Sequence, residues 1–369
     1  MSTKVNKAEP LFRLSKNDGV PVWKAWCIRL LAIALSILVC AGLVVLLTDI
    51  NPLEFFTEVI EGSFGSSRNF LKLLQEISIL LCISLAVTPA FKMRFWNIGA
   101  EGQVLVGALA TAACMKYLAG SVNPVVLIFV MLFAGVFAGM LWGIIPAIFK
   151  AHFGTNETLF TLMMNYVAIQ LVAFMIAVWV PSGSQVVGVI NRESKIGWLP
   201  NVFGQKYIIN IAVVLVVMIA VYIYLRYSKH GYEISVVGES ENTARYIGID
   251  VKKVIIRTMA VSGALCGLAG FLLVSGTDHS ISTETAGGDG FTAIMVSWLA
   301  GFNPFVMLFT SFIISFLEIG AGEIAMSFNL NQSVADILTG IIIFFIIGSE
   351  FFINYKVNFR RKHRKEEHK

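Results

Sequence analysis

Charged residues are scarce in this chain of 369 residues, where they make up 14% of the sequence while hydrophobic residues make up 57%. Between Gly290 and Leu317 there is no Asp, Glu, Lys or Arg at all. Ordinary soluble domains carry about 25% charged residues, and they cannot bury uncharged runs of this length. The composition therefore excludes a soluble globular protein and predicts an integral membrane protein.

The sequence also lacks the patterns that common catalytic and metal sites need. Its five cysteines are scattered without metal-ligand spacing, and no Gly-x-x-x-x-Gly-Lys-Ser/Thr phosphate loop is present. The histidines fall in predicted loops or in the tail: His152, His230, His279, His363 and His368. We therefore expect neither an enzyme nor a metal or cofactor site. The net charge of +5 is explained by basic residues that orient the protein in the membrane. Nucleic-acid binding is not indicated, because there is no soluble domain with a basic face.

Nine mostly apolar stretches of about 20 residues predict transmembrane helices. They are 28–48, 70–91, 97–118, 124–149, 157–181, 207–227, 254–275, 304–324 and 333–354. The loops between them, near 49–69, 182–206 and 276–288 on one side, are too short to fold as a solute-binding domain. Residues 28 onward are read as a retained first span rather than as a signal peptide.

Basic residues set the orientation, because Lys and Arg concentrate in cytoplasmic loops. Both terminal segments are basic, so both termini are expected in the cytoplasm and the number of spans must be even. A tenth, short span at about 289–302 satisfies this requirement and leaves 22 basic residues inside and six outside. Eight spans also satisfy it, if two stretches do not cross.

The predicted fold is thus an all-α polytopic membrane protein with about ten transmembrane helices, one of them a short broken helix near 289–302. Its expected parts are a cytoplasmic arm (1–27), a transmembrane domain (28–354) with a cytoplasmic loop at 228–253, and a basic cytoplasmic tail (355–369).

Polar residues at the start of the third stretch form the first candidate site. Asn97, Glu101 and Gln103 lie there with Gly99 and Gly102. An ionisable group within a span is costly and usually faces the bundle interior or a water-filled cavity, and the glycines permit a helix break or close packing. Two explanations stay open, namely solute contact and a capped helix start.

A second polar group begins the fifth stretch, after Asn156. Glu157, Thr161 and Asn165 are spaced four residues apart and therefore share one helix face. Such a face inside a span lines either a pathway or an interhelical contact.

The predicted cytoplasmic loop contains a short helix, which Ser240 or Asn242 can cap and Gly248 can end. That helix is expected to carry Ala244, Arg245 and Tyr246 on an exposed surface. Either it docks another protein or the segment is a solvated linker.

Four ordered motifs between about 70 and 354 resemble the permeases of ATP-binding-cassette (ABC) importers for simple sugars and nucleosides. The motifs are Asn97–Gln103, Gly238–Ile249, Gly290–Ile294 with Asn303-Pro304, and Ala335–Gly340. Together with Gly154–Glu157, the first motif is more similar to the nucleoside branch of that family.

The resemblance implies a membrane subunit that carries a nucleoside across the bacterial cytoplasmic membrane by alternating access. Its implied partners are cytoplasmic ABC ATPase subunits, an extracellular or lipoprotein solute-binding protein and a second permease subunit, with a heterodimer expected and a homodimer as the alternative. A simple-sugar permease and a stand-alone ion-coupled secondary transporter are the alternative functions.

The polar groups in the spans and the resemblance together suggest roles for individual residues. The expected solute contacts are Asn97, Glu101, Gln103, Asn156, Glu157, Thr161, Asn165 and Asp289. The expected ATPase-coupling residues are Gly238, Glu239, Ala244, Arg245, Tyr246 and Gly248. Such permeases often contain inverted repeats. The glycine–acid motifs around Glu101 and Asp289 are therefore predicted to begin two matched half-helices beside the pathway.

Overall fold

A computed structural model of the chain describes residues 12–16, 21–47, 52–180 and 186–359. This part is almost entirely helical, which confirms the prediction of an all-α membrane protein. Residues 1–11 and 17–20 of the predicted arm, and 360–369 of the predicted tail, lie outside it.

The helices follow the apolar stretches of the sequence closely. They are α1 (Val22–Leu47), α2 (Pro52–Phe64), α3 (Ser67–Lys92), α4 (Ala100–Tyr117), α5 (Pro124–Phe153), α6 (Glu157–Trp179), α7 (Ile208–Tyr227), α8 (Lys229–Glu239), α9 (Glu241–Tyr246), α10 (Val251–Leu272), α11 (Asp289–Leu299), α12 (Pro304–Ser327) and α13 (Gln332–Asn354). A π-helical turn, Leu273–Asp278, extends α10. The described residues also form four short strands: β1 (Phe12–Lys16), β2 (Val186–Val187), β3 (Ile281–Ser282) and β4 (Tyr355–Phe359).

Eight of these helices are long and apolar enough to cross a membrane. The two remaining stretches of the predicted ten are α4, with 18 residues, and α11, with 11 residues. At 1.5 Å per residue α11 is about 16 Å long, which is about half of a hydrocarbon core of about 30 Å. The short helix expected near 289–302 is therefore present, and it reaches only partway through a bilayer.

The chain divides into two compact units, of which the first contains residues 1–62 and 317–369. In this unit α1 packs on α13, and Arg29 forms an ion pair with Glu350 at 2.7 Å. The strands β1 and β4 pair antiparallel, with Phe12 opposite Phe359. Because these strands pair, the segments before α1 and after α13 lie on the same side of the membrane, as an even number of crossings requires.

The second unit, Ser63–Phe316, has a buried centre and an apolar rim. In the most apolar part of α3 and of the α10 span 72% of the residues are buried, against 22% in α5 and 28% in α6 and α7. The exposed residues of these peripheral helices include large apolar side chains such as Phe133, Phe174 and Val216. We therefore place α3, α4 and α10 at the centre and the outer faces of α5, α6 and α7 against lipid.

Glycines let the peripheral helix α5 approach the central helix α10 closely. Gly139 and Gly143 of α5 face Gly263 and the Met259 carbonyl of α10, and a Cβ on Gly267 would overlap the carbonyl oxygen of Gly135. Small residues at such positions allow the backbone contact that holds helices together in lipid.

Alanine at Gly267 should therefore lower the melting temperature of the purified protein. The added methyl meets backbone rather than a flexible side chain, and overpacking of this kind costs about 1–3 kcal/mol. Gly340→Ala in α13 is the matched control, because a Cβ there meets nothing within 4 Å. Equal melting temperatures for the two variants in detergent would contradict the close packing.

Candidate functional site

The helix break between α3 and α4 forms a linker, residues 93–99, whose polar groups are bonded inside the protein. Asn97 is fully buried, and its Oδ1 accepts hydrogen bonds from the Gly99 backbone N–H at 3.1 Å and from Gln103 Nε2 at 3.2 Å. Its Nδ2 donates to Ser262 Oγ of α10 at 3.3 Å. Asn97 and Gln103 therefore fix the linker to the first turn of α4 and to α10.

The polar face of α6 holds the other side of the linker. Thr161 Oγ1 accepts from the Ile98 backbone N–H at 3.1 Å. Asn165 accepts from the Gly102 N–H at 2.9 Å through Oδ1 and donates to the Ile98 carbonyl at 2.8 Å through Nδ2. Asn165 lies about 12 Å along α6 from its first residue, so α4 begins inside the bundle rather than at its surface.

Glu101 joins the start of α4 to the start of α11. Its Oε1 accepts from the Gly288 N–H and its Oε2 from the Gly290 N–H, both at 2.9 Å, and the residue is 7% exposed. A carboxylate is favourable at a helix N-terminus, where backbone N–H groups are unsatisfied and the helix dipole is positive. A Cβ on Gly290 would crowd the Glu101 backbone and carboxylate, so the close approach requires glycine there.

The other end of α11 rests on the same linker. The indole of Trp298 stacks on that of Trp96, with ring centroids 5.6 Å apart and planes at 24°, and Phe91 meets both edge-on. Both tryptophans are about half exposed (47% each). The linker and the first turn of α4 thus hold α11 at both of its ends.

The approach to α11 indicates which surface faces a pathway. Residues 283–288 have irregular backbone at the level of Glu101, and Glu284 and Gly287 are exposed. Irregular backbone at membrane depth is tolerated only where protein covers it or where it lines a water-filled cavity. The exposed face of α11 and its preceding loop is therefore a candidate pathway wall rather than a lipid-facing surface.

The expected solute-contact residues divide into two groups in the structure. Asn97, Glu101, Gln103, Thr161, Asn165 and Asp289 meet at the junction of linker, α4, α6 and α11. Asn156 and Glu157 lie at the turn between α5 and α6, where Asn156 caps α6 and Glu157 pairs with Lys150 at 2.7 Å. Solute contact by any of these residues, and the inverted repeat, stay predictions.

The expected short helix is confirmed as α9, with Ser240 Oγ accepting from the Thr243 N–H at 3.3 Å and Gly248 at a φ of +85° after it. Its cytoplasmic position stays a prediction. The helix α9 is preceded by α8, which the sequence analysis did not predict. The expectation that Ala244 is exposed is wrong: Ala244 is fully buried, because α9 packs on α8 and α10, while Tyr246 is 93% exposed as expected. Glu239 and Arg245 are also exposed.

Two contacts attach α8 to the membrane helices. Gly238 packs against the Lys92 carbonyl at the end of α3, where a Cβ would overlap the backbone. Glu233 accepts a hydrogen bond from Arg257 of α10 at 2.6 Å, and this bond lowers the pKa of the Glu233 carboxyl. The pair α8–α9, residues 229–246, is therefore fixed to α3 and α10 on one side and open on the other.

Comparisons with known proteins agree with this arrangement. The family model described as branched-chain amino acid transport system / permease component matches residues 69–347. A guanosine ABC transporter permease protein of Bacillus subtilis is 29% identical over 326 residues, covering 87% of this chain and 93% of the relative. A nucleoside ABC transporter permease protein of Lactococcus lactis is 27% identical over 330 residues (86% and 90%). A glucose ABC transporter permease protein of Haloferax volcanii is 26% identical over 360 residues (94% and 93%). No solved structure matches.

Proposed function

Because the chain belongs to the family of branched-chain amino acid transport system permease components, we propose that this ABC importer permease carries a nucleoside into the cell. As a multi-pass permease of this family it lies in the cell membrane and works with ATPase and substrate-binding partners. We further propose that the membrane is the bacterial cytoplasmic membrane and that both termini lie in the cytoplasm. The chain would pair with a second permease subunit of different or identical sequence, and the partner ATPase would hydrolyse ATP.

The contact between α8 and the end of α3 is the observation that carries the mechanism. Gly238 touches the carbonyl of Lys92, the last residue of α3, and the linker starts at the next residue. The same linker holds α4 through Asn97 and supports α11 through Trp96. A force applied to α8–α9 by an ATPase therefore has a short route, through one backbone contact and two side-chain contacts, to the candidate pathway wall.

Alternating access follows from this route. Closure of the ATPases on ATP would press on α8–α9, move the linker and re-orient α4 and α11. The solute can bias this change only through contacts that differ between the two states. In the described state Asn97, Gln103 and Asn165 bond to protein, so we propose that the solute meets the wall beside Glu101 and Asp289 when the linker shifts.

The relatives favour a nucleoside as the solute, because two of them are named for guanosine or nucleoside transport. A simple sugar is the second candidate, and the glucose permease relative supports it. The alternative of a stand-alone ion-coupled transporter gains no such support, since the family is a permease component of a larger system.

Reconstitution with the partner ATPase and binding protein in liposomes tests the proposal. Uptake of labelled guanosine should require ATP on the side of the liposome membrane where the ATPase lies. It should stop when the phosphate-loop lysine of the ATPase is replaced. Excess glucose should not compete. Guanosine uptake driven by an ion gradient without the ATPase, or full competition by glucose, would refute the nucleoside ABC assignment.

A further inference from the structure

A cavity of about 310 Å³ lies away from the linker, at the opposite end of α10. Its wall is formed by the segment 195–201, the start of α7, Gly276 of the π-helical turn and His279. In the predicted topology this end of α10 faces the outside. Ligand cavities in proteins start at about 300 Å³, so the space suits one small molecule. The π-helical turns found within helices often occur at functional sites.

A buried amide with an unused acceptor belongs to the lining of this cavity. Asn210 is 1% exposed, and its Nδ2 donates to Gln75 Oε1 at 3.1 Å and to the Leu272 carbonyl at 3.3 Å. Its Oδ1 has no hydrogen-bond partner among the described residues. The amide cannot simply be flipped, because Oδ1 would then meet the Leu272 carbonyl oxygen. A buried acceptor without a partner is costly, so a ligand that donates a hydrogen bond would be favoured here.

Flat rings form a second wall of the cavity. The imidazole of His279 stacks on the indole of Trp198, with centroids 3.7 Å apart and planes at 4°. His279 Nδ1 is buried, and the ring lies within reach of the Val274 backbone. Burial lowers the pKa of His279 to about 4, so the ring is neutral near pH 7. Lys195 and Lys206, both exposed, stand at the cavity and can donate to carbonyl or hydroxyl oxygens.

We propose that this cavity is a solute subsite on the outer side, binding a planar nitrogen heterocycle with hydrogen-bond donors, such as the base of a nucleoside. The ring would lie along the Trp198–His279 wall, and an N–H or sugar O–H would donate to Asn210 Oδ1. Gly276 packs directly against the Asn210 amide, so any larger residue there would displace that amide. The inference rests on the proposed nucleoside function and adds a second place, distant from Glu101, where the solute is recognised.

Binding of labelled guanosine to the chain in lipid nanodiscs tests the subsite through two matched pairs of variants. Asn210→Leu removes the unpaired oxygen Oδ1. Gln75→Leu breaks hydrogen bonds of the same network but leaves Asn210 Oδ1 in place. Asn201→Trp fills the mouth, while Phe203→Trp changes a 93% exposed residue of the same loop that does not line the cavity. We expect about tenfold weaker binding or more for the first member of each pair, and about twofold or less for the second.

The outcomes separate this subsite from the proposed function. If wild-type guanosine uptake is ATP-dependent but Asn201→Trp leaves guanosine binding unchanged, the subsite is refuted and the function stands. Competition by ribose alone as strong as that by guanosine would also refute a heterocycle site. If Asn201→Trp weakens only the affinity for the solute-binding protein, the cavity is a docking surface instead. Absence of guanosine uptake in the complete wild-type transporter would refute the proposed function itself.

Discussion

Replacing Glu101 with alanine should reduce solute uptake about a hundredfold or more while the protein still inserts in the membrane, because two hydrogen bonds to a charged acceptor, each worth about 1.5–3 kcal/mol, are lost. The Gly288 and Gly290 N–H groups would then be left without the carboxylate that satisfies them. The start of α11 would separate from α4, and the candidate pathway wall would lose its shape. Glu101→Gln should be intermediate, since the amide keeps one acceptor oxygen.

Hydrogen exchange distinguishes a structural role for Glu101 from direct solute contact. In Glu101→Ala the amides of 286–292 should exchange faster even without solute, while those of α6 stay protected. Glu157→Gln is the control, since Glu157 lies at the start of α6 and pairs with Lys150 rather than with the start of α11. If exchange at 286–292 is unchanged and only the KM for uptake rises, Glu101 acts as a solute ligand and not as the cap of α11.

The positions of the membrane helices could be predicted from the sequence because a helix that crosses the hydrocarbon core needs about 20 consecutive apolar residues. The need for an even number of crossings, with glycines before the segment and the turn signal Asn303-Pro304 after it, predicted a short helix at 289–302, and the structure has α11 at Asp289–Leu299. The helices α2 and α8 were missed since they are not long apolar runs: α2 contains three glutamates, and α8 begins Lys-His-Gly. The pairing of β1 with β4 joins segments that carry no apolar signal.

The partners inside the candidate site could not be predicted, for a physical reason. A polar side chain within a span must find a partner, but its sequence position does not say whether that partner is solute, backbone or another side chain. Asn165 could equally have faced a pathway, and in the structure it bonds to Ile98 and Gly102. Glu101 bonds to backbone 187 and 189 residues further along the chain, a distance that no local pattern reports.

Mutations in the helix pair α8–α9 should show two separate roles, with α9 docking the ATPase and α8 transmitting its motion. Arg245 is exposed on α9 and paired only loosely with Glu241 at 3.3 Å, so Arg245→Glu reverses a charge on the open surface. We expect this variant to insert normally, to lose co-purification with the ATPase and to lose uptake. Lys253→Glu is the matched control, because it reverses an equally exposed charge, paired with Asp250, at the start of α10 outside α9.

Gly238→Val should give the opposite combination, with ATPase binding retained and uptake lost. The valine side chain would push α8 away from the Lys92 carbonyl, while the surface of Arg245 and Tyr246 stays intact. ATP hydrolysis in the reconstituted complex should then continue without responding to the loaded binding protein. The contact joins α8 to Lys92, the residue before the linker. Normal uptake by Gly238→Val would therefore mean that the motion reaches α4 and α11 by another route. The Glu233–Arg257 ion pair between α8 and α10 would then be the next contact to remove.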